Sequence, residues 1–250
     1  MPTRAEPAAR GLVVVALLVS AFYGARAGWA RWHVCVDGFD TAECLRVQDH
    51  LYDYWVPTAP WTPIEGAALN EGISLLALGL AIVLLGWWAG GALTVRDGAW
   101  IGRKRLGVRL IGLPAAASWI WAGVLTARSG VTGEVNELGS LVGVGVSAFG
   151  TAISLVLAGL AWGVEQVGSA RVAARRMVVA CVLLTLAHPL PELVLTGLVY
   201  SSHDANPGDG LVRSAMLALC AIALALPART WRVSPRVTVG AVPSAADDAR

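Results

Sequence analysis

Long apolar runs, separated by short polar segments, dominate the chain. A helix that crosses a hydrocarbon core of about 30 Å needs about 20 apolar residues. Six stretches meet that length: 11–29, 72–95, 110–127, 138–164, 177–200 and 211–228. Backbone groups in lipid have no water to bond, so a helix is the open-chain route across. The pattern predicts an all-α fold, a polytopic transmembrane helix bundle of six spans. Arg26 and Arg213 fall near span ends, where a long side chain snorkels toward the headgroups.

The first stretch has a second reading. Arg4 and Arg10 precede an apolar run over 12–22, and Ala25-Arg26-Ala27 follows it. That order is the grammar of a cleavable signal peptide. Cleavage would leave five spans. Six are favoured, because the apolar run continues through Gly28 and Trp29.

Composition narrows the class. Hydrophobic residues make up 56% of the 250 positions and charged residues 14%. About 25% charged is usual for a soluble domain. So few charges do not cover a water-facing surface, which argues against a soluble enzyme, a disordered chain or a nucleic-acid binder. The basic residues then orient the bundle. With the N-terminus cytoplasmic, 14 of the 19 Lys and Arg residues lie inside and 5 outside. Such a bias in short loops follows the positive-inside rule. The expected organisation is a cytoplasmic segment 1–10, a membrane domain 11–228 with an external loop 30–71, and a disordered cytoplasmic tail 229–250. Both termini face the cytoplasm of a cell (plasma or inner) membrane. Arg103, Lys104, Arg105 and Arg109 form a lipid-facing basic cluster, suited to anionic lipids at the cytoplasmic face.

The external loop carries Trp32, Tyr52, Tyr54, Trp55 and Trp61, residue types that favour the membrane interface. Residues 41–56 read as a short helix, with Cys44, Val47 and Leu51 on one face and Asp40 and Glu43 at its start in capping-box spacing. Asp49, His50 and Asp53 read as a solvated acidic face rather than a metal site. Pro57, Pro60 and Pro63 recur every three residues and read as a stiff strap returning to the second span. Cys35 and Cys44 share this loop, and an oxidising compartment predicts a disulfide. Cys181 and Cys220 lie in separate spans at different depths and are expected to stay free.

The fifth span holds the one intramembrane candidate site. His188, Pro189, Pro191 and Glu192 fall near mid-membrane, where ionisable groups are costly and usually face the bundle interior. His188 and Glu192 share a face if the helix continues, and the prolines are expected to leave the carbonyls of Thr185 and Ala187 without their usual donors. Asn70 and Glu71 are candidate partners for Glu192. A broken helix with a His and a Glu is a pattern used for protons or ions. Gly139, Gly143, Ser147, Thr151 and Ser154 suit the fourth span to close helix packing.

No Walker A, G-x-S-x-G, H-E-x-x-H or Gly-rich dinucleotide turn is present. No enzyme activity, metal or cofactor is expected. The leading expectation is a non-catalytic subunit or accessory component of a cell-envelope assembly, with a protein partner at the external loop. The alternative is a small secondary transporter or proton-linked carrier built on His188 and Glu192.

Overall fold

The computed structural model describes residues 5–92, 100–138, 169–199 and 205–227, and among them the only regular structure is helical. Seven α-helices follow in order: α1 Ala5–Trp32, α2 Ala42–Gln48, α3 Ala67–Ala92, α4 Trp100–Thr132, α5 Ser169–Leu186, α6 Pro189–Gly197 and α7 Leu211–Ala225. The expected fourth span, with its small-residue stripe, and the C-terminal tail lie outside the described residues.

Among the described residues, two helices are long and apolar enough to cross a membrane, Pro7–Cys35 and Ala67–Trp88. A third span results if Ala174–Leu186 and Pro189–Gly197, bent by 69°, count as one. This is fewer than the six expected, the fourth of which lies outside the described residues. α7 has 15 residues, about 22 Å at 1.5 Å per residue, which is short of the hydrocarbon thickness. α4 is long enough, and its first turns carry Arg103, Lys104, Arg105 and Arg109 ahead of the uncharged stretch 110–127, with Pro114 inside the helix.

Helix α3 packs antiparallel on α4. A side chain on Gly72 would collide with the backbone of Ala127, and one on Gly130 with that of Leu69. Gly79 and Gly123 make two further close approaches, to Ile120 and Leu76. Small residues let two helix backbones meet where no hydrophobic force drives them together. Helix α1 lies against α3 and α7, and α5 against α7. Leu17, Leu75, Trp119, Cys181, Leu217 and Leu224 meet in the common core. Ala25-Arg26-Ala27 sits inside the unbroken α1, with Ala27 fully buried.

The loop between α1 and α3 folds into a lobe at one end of the bundle. Cys35 and Cys44 are joined in a disulfide, and Cys181 and Cys220 are free and buried. The lobe's helix is shorter than expected. α2 covers seven residues, and its cap is Thr41, whose Oγ1 accepts the N–H of Cys44 at 3.3 Å. The helix stops at Asp49, which turns extended and caps a following 3-10 turn over His50–Tyr52 by accepting the N–H of Leu51. Asp competes well for nearby backbone N–H groups, which is why it ends one helix and starts the next. The lobe is held to the bundle by Val56, whose N–H donates to Thr126 Oγ1 on α4, and by Ala205, whose N–H donates to the carbonyl of Gln48.

Candidate functional site: a buried polar cluster at the lobe end of the bundle

The His188–Glu192 motif is built differently from its sequence expectation. α5 ends at Leu186, and His188 is extended (φ −78°, ψ 152°) ahead of α6. Pro189 and Pro191 therefore begin a helix instead of interrupting one. A first turn has N–H groups without intrahelical partners in any case, so proline is tolerated there. The carbonyl of Thr185 is not left without a donor, since it accepts the N–H of His188. The carbonyl of His188 in turn accepts the N–H of Glu192 at 2.9 Å.

The break separates the two ionisable side chains. The His188 ring packs against Trp119 of α4, with centroids 5.2 Å apart, and its Nδ1 has no hydrogen-bond partner. Glu192 turns to α7. Its Oε1 accepts the N–H of Gly210 at 2.7 Å and that of Arg213 at 2.8 Å. These donors belong to the first turn of α7, where a carboxylate is favoured by both the free N–H groups and the helix dipole. Gly210 is required at this corner. Its φ is +85°, and a side chain there would overlap the hydroxyl of Tyr54.

Arg213 sends its guanidinium in another direction. Nη2 lies 2.6 Å from both carboxylate oxygens of Glu71 and donates to Oε2. Both residues are buried, at 3% and 0% exposure. Arg213 does not snorkel, because an ion-pair partner inside the bundle satisfies it. Glu71 lies within α3 rather than in the loop, and it bonds Arg213 rather than Glu192. The result is a chain of polar contacts running Glu192–Arg213–Glu71 across α6, α7 and α3. Below it, Ser20 and Ser74 exchange hydroxyl-to-carbonyl hydrogen bonds of 2.8 Å between α1 and α3.

A second layer seals this cluster from the lobe side. Tyr54 Oη and Trp32 Nε1 both donate to the carbonyl of Asp209, at 3.0 and 2.8 Å. Thr196 Oγ1 donates to Asp209 Oδ1 at 2.7 Å. Burial pushes the Asp209 carboxyl above its ordinary range, opposed by the Thr196 hydrogen bond and the Arg31 charge. Burial raises the Tyr54 hydroxyl as well, helped by the Glu71 charge. Arg31, itself buried, donates Nε to the carbonyl of Val47 at 2.7 Å, Nη1 to Asp53 Oδ1 at 2.6 Å and Nη2 to the carbonyl of Asp49 at 3.1 Å. Asp53 also holds His50, with Nδ1 3.0 Å from Oδ2. Asp53 thus bridges α1 and the lobe, with its side chain still 38% exposed. Among the described residues no cluster of His, Cys, Asp or Glu is arranged to hold a metal ion.

The site brings Glu192 together with residues that sequence spacing did not assign to it, Arg213, Asp209, Tyr54 and Arg31, while His188 lies apart against Trp119. One signal was available, namely two opposite charges, Glu71 and Arg213, at membrane-span ends that cost free energy if left unpaired. The basic cluster Arg103, Lys104, Arg105 and Arg109 lies on the first turns of α4, and its side chains are outside the described residues. The chain matches no protein-family model, no curated protein and no solved structure.

Proposed function

We propose that the protein is a non-catalytic integral membrane component of a cell-envelope assembly. Both termini face the cytoplasm, the lobe 30–71 is external, and the basic residues of α4 contact anionic lipid on the cytoplasmic side. The observation that carries this reading is the internal use of the buried charges. Glu192 is engaged by two backbone N–H groups and Glu71 by Arg213. Polar groups used up in this way lock helices together, whereas a proton carrier needs a carboxylate that exchanges with water. The lobe supplies the surface for a partner. Its disulfide and Arg31 hold it in place, and Val36 and Leu45 stand 69% and 50% exposed on it.

The transporter reading draws on one feature, the buried His188 Nδ1 that lacks a hydrogen-bond partner beside Trp119. Photo-crosslinkers placed at Val36 and at Leu45 in native membranes separate the readings. A discrete adduct of fixed mass that disappears with Leu45→Asp supports the subunit. Failure to form any protein adduct from either position, together with pH-driven flux in vesicles that His188→Ala abolishes, supports the transporter. Reporter fusions after Arg105 and after Arg176 test the orientation, and both are expected to read cytoplasmic.

A further inference from the structure

A cleft of about 590 Å3 opens where the lobe end of α1 meets the start of α3. Its walls include Phe22, Arg26 and Trp29 from α1, and Glu65, Gly66 and Asn70 from the other side. The volume falls in the range of small-molecule sites, about 300–1,000 Å3. The cleft also holds two opposite charges, both exposed: the Arg26 guanidinium and the Glu65 carboxylate.

Its depth is set by α1. Arg26 lies three positions before Trp29, the end of the apolar stretch 11–29, about 4.5 Å at 1.5 Å per residue, within snorkelling reach of the headgroups. Val15, Leu18 and Phe22 run away from Arg26 toward the membrane centre at intervals of three and four residues. All three are exposed, at 58%, 45% and 57%. That spacing keeps them on one helix face. The guanidinium lies over the Phe22 ring, 6.0 Å from its centroid, and Trp29 stands exposed on the opposite side of Arg26 along the helix. An apolar stripe therefore leads into a cleft with a cation, a carboxylate, an amide and an interfacial aromatic.

We propose that this cleft binds one phospholipid with a zwitterionic phosphoethanolamine headgroup. The guanidinium of Arg26 takes the phosphate, because its planar fork matches phosphate oxygens. Asn70 also lines the cleft and offers an amide donor. The Glu65 carboxylate accepts from the ammonium in a charge-assisted hydrogen bond. An acyl chain follows Val15, Leu18 and Phe22. Two opposite protein charges in one cleft select a zwitterion over a purely anionic headgroup, which would meet Glu65 as a like charge. The inference rests on the membrane reading above, but not on which side the lobe faces.

Native mass spectrometry of detergent-purified full-length protein tests it, with phosphatidylethanolamine and phosphatidylglycerol offered in equal amounts. Wild type is expected to retain phosphatidylethanolamine several-fold over phosphatidylglycerol. Arg26→Gln is expected to cut retention of phosphatidylethanolamine about tenfold. Glu65→Gln is expected to remove the preference while leaving binding of phosphatidylglycerol. Both side chains are exposed, so circular dichroism and elution volume should match wild type. Equal retention of the two lipids by wild type, or unchanged retention in Arg26→Gln, overturns the proposal. Displacement of bound lipid by equimolar free O-phosphoethanolamine also overturns it, in favour of a soluble ligand. Protein recovered from the soluble fraction without detergent would instead count against the membrane reading itself.

Discussion

Arg213 on α7 and Glu71 on α3 lie 142 positions apart in sequence and 2.6 Å apart in the fold, both buried. Removing one partner strands a buried charge, which typically costs about 3–5 kcal/mol, whereas replacing both by apolar residues is often close to neutral. Glu71→Leu and Arg213→Leu should each lower the unfolding midpoint in detergent sharply. The double variant should recover most of the loss, and a double-mutant cycle measures the coupling. Additive effects would mean that the pair does not contribute as a unit.

Glu192 serves as an acceptor for two N–H groups at the start of α7. Glu192→Gln keeps an oxygen in that place and should fold and insert normally. Glu192→Leu leaves both N–H groups buried without a partner, at about 1–3 kcal/mol for each group. Thermal unfolding should rank Leu well below Gln. Equal loss from both would point to a role for the charge itself.

Gly72 lets α3 approach the backbone of Ala127 on α4. Gly72→Val forces the helices apart, and overpacking of a close contact costs about 1–3 kcal/mol or more. A Cβ on Gly112 would come no closer than 4.0 Å to a neighbour, so Gly112→Ala should not destabilise the fold and should gain up to about 1 kcal/mol of helix propensity. Unfolding of the two variants side by side checks that the effect belongs to the contact and not to glycine as such.

The disulfide between Cys35 and Cys44 closes a short loop. On the chain-entropy account this stabilises the folded state by about 2–3 kcal/mol. Cys35→Ser with Cys44→Ser should loosen the lobe, seen as faster amide exchange at Ala205, which donates to Gln48 there. Non-reduced digests should show the two loop cysteines bridged and Cys181 and Cys220 alkylated only after unfolding.

Asp209 links stability to pH. Its folded-state pKa lies above the ordinary value of 3.8, with burial as the main cause. An acid with a raised pKa binds its proton more tightly when folded. Its contribution is therefore full below about pH 3.8 and is lost as pH rises through the folded value. Asp209→Asn keeps an oxygen for the Thr196 hydroxyl and does not titrate. Relative to wild type, this variant should gain stability between pH 4 and pH 7. A difference that stays constant across that range would count against the assignment.

Much of the local structure was readable from residue type and spacing alone. The apolar runs determine that α1 and α3 are long helices, because only intrahelical hydrogen bonds satisfy a backbone in apolar surroundings. Two cysteines in one polar loop determine the disulfide, since little chain separates them. The double proline determines a break at His188, because neither ring leaves an N–H for a continuing helix. What only the tertiary structure decided is where the polar side chains go after that break. His188 and Glu192 were expected to share a face, but the 69° bend turns Glu192 toward the free N–H groups of α7. Arg213 was expected at a headgroup and is instead paired with Glu71 inside the bundle. The Thr41 cap and early end of α2 came from short side chains competing locally for backbone N–H groups. A buried charge takes the partner that neighbouring helices bring within hydrogen-bond reach, and helix adjacency is not encoded in the period of any one segment.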